Sequence, residues 1–170
     1  VGEQLTAAPL PERAYLIVQP DASVETAGIF SAPDLTRDTP FVKMTDFVLA
    51  AVETTRVDSN GSDSKTASKT ASRTASGTAL NQAPFFGRND LEPVVYRRYP
   101  EVERAARWLR QNGICVRMTG SGSCLFAEYV EVSQAVLAQR EIIATMHVAG
   151  EISATAQPRF RLVQACPSLA

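Results

Sequence analysis

A loop of glycine, serine and threonine lies between two β-prone runs in residues 117–128, which read Arg-Met-Thr-Gly-Ser-Gly-Ser-Cys-Leu-Phe-Ala-Glu. The runs 113–118 and 124–130 are rich in apolar residues, and we predict a strand on each side of the loop. Two glycines within three residues permit positive φ angles, and successive N–H groups in such a loop can bind an anion. A polar hairpin turn without a ligand is the alternative interpretation.

The residues around this loop exclude two familiar phosphate-binding motifs. Dinucleotide-binding and Walker loops need a strand, then glycines, then a helix whose N-terminus meets the phosphates. Here a second predicted strand follows the glycines, and no lysine stands at the end of the loop. Any anion bound here must therefore be held by a strand–loop–strand hairpin.

Composition excludes several partners and places the chain in a broad class. With 170 residues it can form one domain with a real core, which we assign to 1–170. A net charge of −1 gives no basic surface for nucleic acid, and no apolar run approaches the ~20 residues of a membrane helix. Three widely spaced cysteines and one histidine (His147) favour neither a disulfide framework nor a metal site. A reducing, cytoplasmic setting fits this cysteine usage.

Predicted strands and helices alternate along the chain. Strands are predicted at 14–19, buried on both faces, at 146–149 and at 159–165 as an edge strand. Helices are predicted at 23–30 with Ser23 as cap, from about Thr45, after Asn89 or Asp90 as cap, from Pro100 to Asn112-Gly113, and at 132–143. This order predicts an α+β two-layer sandwich, with helices on one face of a mostly antiparallel sheet.

Residues 57–84 differ in composition from the rest of the chain. They contain three copies of a tetrapeptide: Lys65-Thr66-Ala67-Ser68, Lys69-Thr70-Ala71-Ser72 and Arg73-Thr74-Ala75-Ser76. Few large apolar groups are present to offset the entropy of ordering the backbone. We predict a disordered, low-complexity insertion. Three cations are too few for a nucleic-acid tail, and a docking tail for another protein is a further hypothesis.

The ordered motifs resemble one known family. They are Val18-Gln19-Pro20, Ser23-Val24-Glu25-Thr26-Ala27-Gly28-Ile29-Phe30, Arg37-Asp38-Thr39-Pro40, Asn89-Asp90-Leu91-Glu92-Pro93-Val94-Val95, Tyr99-Pro100-Glu101-Val102 and residues 118–127. Together they are similar to the C-terminal half of the 4-diphosphocytidyl-2-C-methyl-D-erythritol kinase family, in the GHMP kinase superfamily. The resemblance covers about residues 1–150 outside 57–84 and implies a ferredoxin-like fold.

The resemblance also implies a reaction. ATP would phosphorylate the 2-hydroxyl of a small molecule, the cytidine diphosphate derivative of methylerythritol, with Mg²⁺ assisting, in the non-mevalonate isoprenoid pathway. In the family, the catalytic aspartate, its lysine partner and the main ATP loop belong to an N-terminal ATP-binding domain, which we expect this chain to lack. We therefore expect no catalytic residue in this chain and no kinase activity from the chain alone.

The resemblance assigns site residues. Phe30 would stack on the cytosine, although a core phenylalanine is the structural alternative, and Thr26 would line the same pocket. Ala27 stands where the family often has proline. A further superfamily motif bordering the active site is matched by Thr119, Gly120, Ser121, Gly122 and Ser123.

Neighbouring residues receive structural rather than chemical roles. Asn89 and Asp90 match a family signature, for which we favour helix capping over ligand contact. Arg37 and Asp38 would brace the loop after Phe30. The arginines of the following segment are predicted to form a solvated face with Glu101 and Glu103; they are Arg97, Arg98, Arg104, Arg107 and Arg110.

Two other functions stay open at this point. One is a domain of a different GHMP kinase, acting on homoserine or on a mevalonate-like alcohol. The other is a non-catalytic module that binds a small molecule, which the fold alone also permits. Competition by cytidine diphosphate would separate the first of these from the cytidine-specific kinase.

Overall fold

A computed structural model describes residues 12–40, 71–73, 79–81, 88–150 and 158–167. One four-stranded antiparallel sheet organises these residues, in the strand order β4-β5-β1-β6. Its elements and the helices between them are β1 (Ala14–Pro20), α1 (Thr26–Phe30), β2 (Ala71–Arg73), β3 (Ala79–Asn81), α2 (Glu92–Arg98), α3 (Pro100–Gln111), β4 (Arg117–Met118), β5 (Leu125–Tyr129), α4 (Val132–Gly150) and β6 (Phe160–Pro167). The α+β prediction is confirmed.

The central strand β1 has one fully buried face. Ala14, Leu16 and Val18 are completely buried, while the residues between them are half-buried. The prediction that both faces are buried is therefore wrong for the second face. β1 pairs with β5 through Leu16–Ala127 and with β6 through Leu16–Ala165, antiparallel in both cases. As predicted, β6 is an edge strand of the sheet.

Helices α3 and α4 contribute apolar stripes to the core of this sheet. The stripe of α3 consists of the predicted residues Val102, Ala105, Ala106 and Leu109, all fully buried. Pro100 opens α3, and Gly113, with φ of 77°, follows its C-cap Asn112. Both helix limits agree with the sequence prediction.

Helix α4 corrects the predicted strand at 146–149. The helix continues through these residues to Gly150. Ile142 is buried and Met146, four residues later, packs against the core. Because residues four apart lie on the same helix face, the apolar run extends the helical stripe and does not start a strand.

Three further predictions are corrected at element ends. Ser23 does not cap α1, because the helix begins at Thr26 and Glu25 is its N-cap. Of the strand predicted over 113–118, only Arg117–Met118 pairs, since the residues after Gly113 lead the chain out of α3. The helix predicted from Thr45 lies outside the described residues.

Six residues of the range 57–84 are described. β2 and β3 pair antiparallel, with Ser72 opposite Leu80. The sequence did not predict this strand pair. The disordered insertion was predicted over the whole of 57–84, including these six residues. The other residues of the range lie outside the described part of the chain.

Candidate functional site

The glycine-rich loop joins β4 to β5 as a tight hairpin. Thr119 donates its N–H to the Cys124 carbonyl at 2.9 Å, which closes the hairpin. Within it, the Gly122 N–H donates to the Thr119 carbonyl at 3.1 Å. Gly120 and Gly122 have φ angles of 56° and 94°, in a region that L side chains rarely adopt. The prediction of a hairpin with two positive-φ glycines is confirmed.

The two glycines have different surroundings. A Cβ atom on Gly122 would lie 3.1 Å from Met118 Sδ and 3.4 Å from side-chain carbons of Val24 and Val95. A Cβ on Gly120 would meet nothing within 4 Å. One side of the loop is therefore packed onto the protein, and the side carrying Gly120 is open.

Helix α1 presents three of the predicted site residues on its outer face. Thr26, Ala27 and Phe30 are exposed, whereas Ile29 between them is completely buried and anchors the helix. The Phe30 side chain is 52% exposed. The alternative that Phe30 is a core residue is therefore wrong, and its ring is accessible to a ligand.

Two side-chain contacts join the glycine-rich loop to α1 and to the segment before it. The hydroxyl oxygens of Thr26 and Ser121 lie 2.9 Å apart and share a hydrogen bond. Ser123, which is buried, donates its hydroxyl to the Ala22 carbonyl at 2.9 Å. The two groups of site residues predicted from the sequence therefore form one continuous surface.

Residues from α2 and the following turn hold α1 from behind. Arg98 donates to the Gly28 carbonyl at 2.8 Å, and the Tyr99 hydroxyl accepts the Glu25 N–H at 3.1 Å. Arg37 donates to the Phe30 carbonyl at 2.5 Å, so it braces this loop as predicted. These contacts fix the backbone of α1 while leaving its outer face open.

The remaining arginines follow the predicted solvated face only in part. Arg107 pairs with Glu103 across one helical turn. Arg97 instead pairs with Asp34 at 2.5 Å, and this hydrogen-bonded guanidinium lowers the pKa of the Asp34 carboxyl. Arg110 pairs with Glu92 at 3.2 Å. Several of these cations therefore join α2 and α3 to neighbouring segments.

Asn89 and Glu92 are contacts of the loop that sequence analysis missed. The Asn89 amide nitrogen donates to the Met118 carbonyl at 2.9 Å and to the Gly120 carbonyl at 2.8 Å. The Asn89 side-chain oxygen accepts the Leu91 N–H at 3.1 Å. Glu92 accepts the Met118 N–H at 3.0 Å. The predicted capping role is wrong for both Asn89 and Asp90, because Leu91 is the N-cap of α2. The Asn89 oxygen instead holds the turn before the helix, and its nitrogen binds the loop.

An open cavity of about 460 Å³ lies beside Asn89. Arg88 and Asp90, which form an ion pair at 2.6 Å, line one part of it. Tyr96 lines another part, with the Arg110 guanidinium 5.9 Å from its ring centre. Burial, followed by the nearby Glu92 charge, raises the pKa of Tyr96 well above its ordinary value.

The described residues contain neither a clustered metal site nor a helix that could span a membrane. Among them, no three histidine, cysteine, aspartate or glutamate side chains are grouped as a metal ion would require. Within the same ranges, no helix has the length and hydrophobicity needed to cross a membrane.

The family model that describes the C-terminal part of GHMP kinases matches residues 71–148. Over 169 residues, the chain is 50% identical to a 4-diphosphocytidyl-2-C-methyl-D-erythritol kinase of Bordetella parapertussis, covering 99% of the chain and 46% of the relative. A protein of the same name from Ralstonia pickettii is 38% identical over 82% of the chain and 38% of the relative. The chain spans less than half the length of these relatives.

A solved structure is similar in fold. The crystal structure of a 4-(cytidine 5'-diphospho)-2C-methyl-D-erythritol kinase matches with a TM-score of 0.53 and 20% identity, over 84% of this chain and 43% of that one. At this identity the likeness concerns the fold alone. It agrees with the antiparallel sheet and helices described above.

Proposed function

This chain belongs to the GHMP kinases, whose C-terminal domain it carries, and on that premise we propose that it is the substrate-side part of an ATP-dependent kinase. The proposed reaction phosphorylates the 2-hydroxyl of 4-diphosphocytidyl-2-C-methyl-D-erythritol. The observation that carries the proposal is the 2.9 Å contact between Thr26 and Ser121. This contact joins the helix that carries an exposed aromatic ring to the glycine-rich loop. It supports the proposal that the ring binds a base and the loop binds phosphates.

Phe30 is the proposed platform for the cytosine. Its side chain is 52% exposed, and its backbone is fixed by Arg37 and by the burial of Ile29. Base stacking on an aromatic side chain contributes ~1–3 kcal/mol. Thr26 and Ala27 lie on the same helix face and are proposed to line the pocket beside the base.

The loop Thr119–Ser123 is the proposed cradle for phosphate oxygens. Among the described residues, no hydrogen-bond acceptor is found for the N–H groups of Gly120 and Ser121. Unpaired N–H groups beside positive-φ glycines are suitable donors to an anion. In phosphoryl transfer, catalysis depends mainly on positioning and on stabilising charge, and donors placed here would contribute to both.

ATP and Mg²⁺ are proposed cofactors of the complete enzyme. The described residues offer no group of carboxylates for a metal ion, so we assign no Mg²⁺ ligand to them. Bound Mg²⁺ would neutralise phosphate charge. We propose that the catalytic residues and the main ATP site belong to the part of the relatives that this chain does not span, and that the chain alone is inactive.

The proposed partner is the small-molecule substrate rather than nucleic acid or a membrane, and the proposed location is the cytoplasm. The chain has three widely spaced cysteines, and this usage supports a reducing compartment.

The test is ADP release with the cytidyl substrate, from the chain alone and from a chimera. In the chimera, the N-terminal half of the Bordetella parapertussis relative precedes this chain. Activity is expected only in the chimera, with cytidine diphosphate as a competitive inhibitor. Activity on homoserine or mevalonate instead, or no inhibition by cytidine diphosphate, would show that the cytidine assignment is wrong.

Substitution of one ring tests the proposed stacking. Phe30→Leu in the chimera keeps an apolar side chain but removes the aromatic face, so the KM for the cytidyl substrate should rise roughly tenfold. Phe126→Leu is the matched control, because it makes the same change away from the proposed cytosine site. Phe126 lies on the face of β5 opposite Leu125 and Ala127, which are turned to the core. An equal rise in KM for both variants would refute the role of Phe30.

A further inference from the structure

The Asn89 side chain connects two segments that are distant in sequence. Its oxygen accepts the Leu91 N–H at the start of α2, while its nitrogen donates to the carbonyls of Met118 and Gly120. All three distances lie between 2.8 and 3.1 Å. A carboxamide combines an acceptor with two donors in one rigid group, and this environment uses all three.

The two carbonyls held by Asn89 determine where the loop amides point. In a trans peptide the C=O and the following N–H point in opposite directions. The peptide after Met118 directs its carbonyl to Asn89 and its N–H, that of Thr119, to Cys124. The peptide after Gly120 also directs its carbonyl to Asn89. The Ser121 N–H therefore points away from Asn89.

Glu92 and Arg110 hold the strand that enters the loop. Glu92 accepts the Met118 N–H at 3.0 Å, and Arg110 donates to the Val116 carbonyl at 3.0 Å. Arg110 also pairs with Glu92 at 3.2 Å. These contacts fix β4 up to Met118. Past Thr119, Asn89 bonds to the backbone of the loop at Gly120, whereas Thr26 bonds to the Ser121 hydroxyl.

We propose that Asn89 is a positioning residue: it sets the glycine-rich loop so that the Ser121 N–H is directed at a phosphate oxygen of a nucleotide-type ligand. This inference rests on the proposed function for the identity of the ligand. The positioning itself rests only on the three hydrogen bonds of Asn89. The two parts can therefore be tested separately.

Asn89→Asp separates the two roles of the side chain. The introduced carboxyl keeps an oxygen for the Leu91 N–H, and a negative charge there suits a helix start. It replaces the amide donor with an oxygen that faces the carbonyls of Met118 and Gly120. Asn112→Asp is the matched control, because the Asn112 amide nitrogen donates to the Trp108 carbonyl at 2.9 Å at the C-terminal end of α3.

The first readout is amide hydrogen exchange and chemical shift by NMR in the full 170-residue chain. Asn89→Asp should change the Gly120 and Ser121 shifts and speed exchange at Gly122, whose N–H is bonded within the loop, roughly tenfold, the effect of losing about one hydrogen bond. The Leu91 amide should change little, and Asn112→Asp should leave the loop signals in place. Loop signals that stay unchanged in Asn89→Asp would overturn the positioning role.

The second readout is steady-state kinetics of the chimera. Asn89→Asp should lower kcat roughly tenfold while changing the KM for the cytidyl substrate less than about threefold, because Phe30 still holds the base. Asn112→Asp should change neither constant. Loop signals that move while kcat stays constant would overturn the link to phosphate. If the unsubstituted chimera has no activity, the kinase proposal fails, while the exchange result still decides the positioning role.

Asn89→Ser serves if the aspartate variant does not fold. Serine keeps an oxygen that can accept the Leu91 N–H but is too short to reach both loop carbonyls. The same localised exchange effect is expected. Exchange that rises uniformly along the whole chain would instead mark Asn89 as a general stability residue and overturn the proposal.

Discussion

Helix α3 and the glycine-rich loop are separated by only a few residues, but different interactions hold them. The helix carries its own signals: Pro100 at its start, Gly113 after its end and a buried apolar stripe. The loop is held by distant segments: by the side chains of Asn89, about 30 positions away, and of Thr26, about 100 positions away, and by the backbone carbonyl of Ala22. Packing therefore stabilises the helix, while specific polar contacts define the loop.

Disrupting the buried apolar stripe of α3 should lower the free energy of unfolding more than any other change considered below. Leu109→Ala should lower the free energy of unfolding by about 3 kcal/mol, because Leu109 is fully buried and truncation leaves a cavity. Leu162, 44% exposed on β6, provides the control, and Leu162→Ala should cost less than about 1 kcal/mol. Urea unfolding of the chain measures both. Similar losses would contradict the assignment of α3 to the core.

The sequence correctly predicts the elements whose limits or positions are set by local residue patterns. The limits of α3, the hairpin around the loop and the edge position of β6 follow from helix caps, positive-φ glycines and alternation. The end of α4 was missed because the run of four residues 146–149, three of them apolar, has no period of its own. Only the buried Ile142 and the partly buried Met146 reveal the helical stripe. Local pattern is therefore weakest where a short apolar run permits both structures.

The candidate site was predictable in its members but not in its arrangement. Phe30, Thr26 and the glycine-rich loop follow from the resemblance, but the Thr26–Ser121 contact joins residues 95 positions apart. Asn89 was predicted only as a cap because an asparagine before a helix is typical of capping. Its two bonds to the loop depend on how α2 and β4 pack, which a single sequence does not encode locally.

The two glycines of the loop should differ in how much unfolding free energy is lost when each is replaced by alanine, and both losses should be smaller than that of Leu109→Ala. Gly122→Ala should cost about 2 kcal/mol, since φ is 94° and the new Cβ would lie 3.1 Å from Met118 Sδ. Gly120→Ala should cost only about 1 kcal/mol, the penalty of a positive φ without a steric contact. Urea unfolding of the two variants tests the order. The reverse order would mean that the open and packed sides of the loop are wrongly assigned.

The smallest expected effect concerns the hydroxyl pair that joins the loop to α1. Thr26 is exposed, so Thr26→Val should cost only about 0.5 kcal/mol in unfolding free energy. The pair itself is measured by a double-mutant cycle of Thr26→Val and Ser121→Ala, with an expected coupling of about 0.5 kcal/mol. Thr145→Val is the control, because the Thr145 hydroxyl bonds within its own helix, to the Glu141 carbonyl.

The coupling is more informative than either single loss. If the loop depends on contacts with distant segments, Thr26→Val should weaken cytidine diphosphate binding by the chimera and Thr145→Val should not, although both remove one hydroxyl. Such a result would mean that contacts with distant segments set not only the backbone of the loop but also the ligand-binding surface that the loop shares with Phe30. Zero coupling between Thr26 and Ser121 would mean that the loop and α1 are neighbours whose positions are set independently, by Asn89 on one side and by Arg98 and Tyr99 on the other.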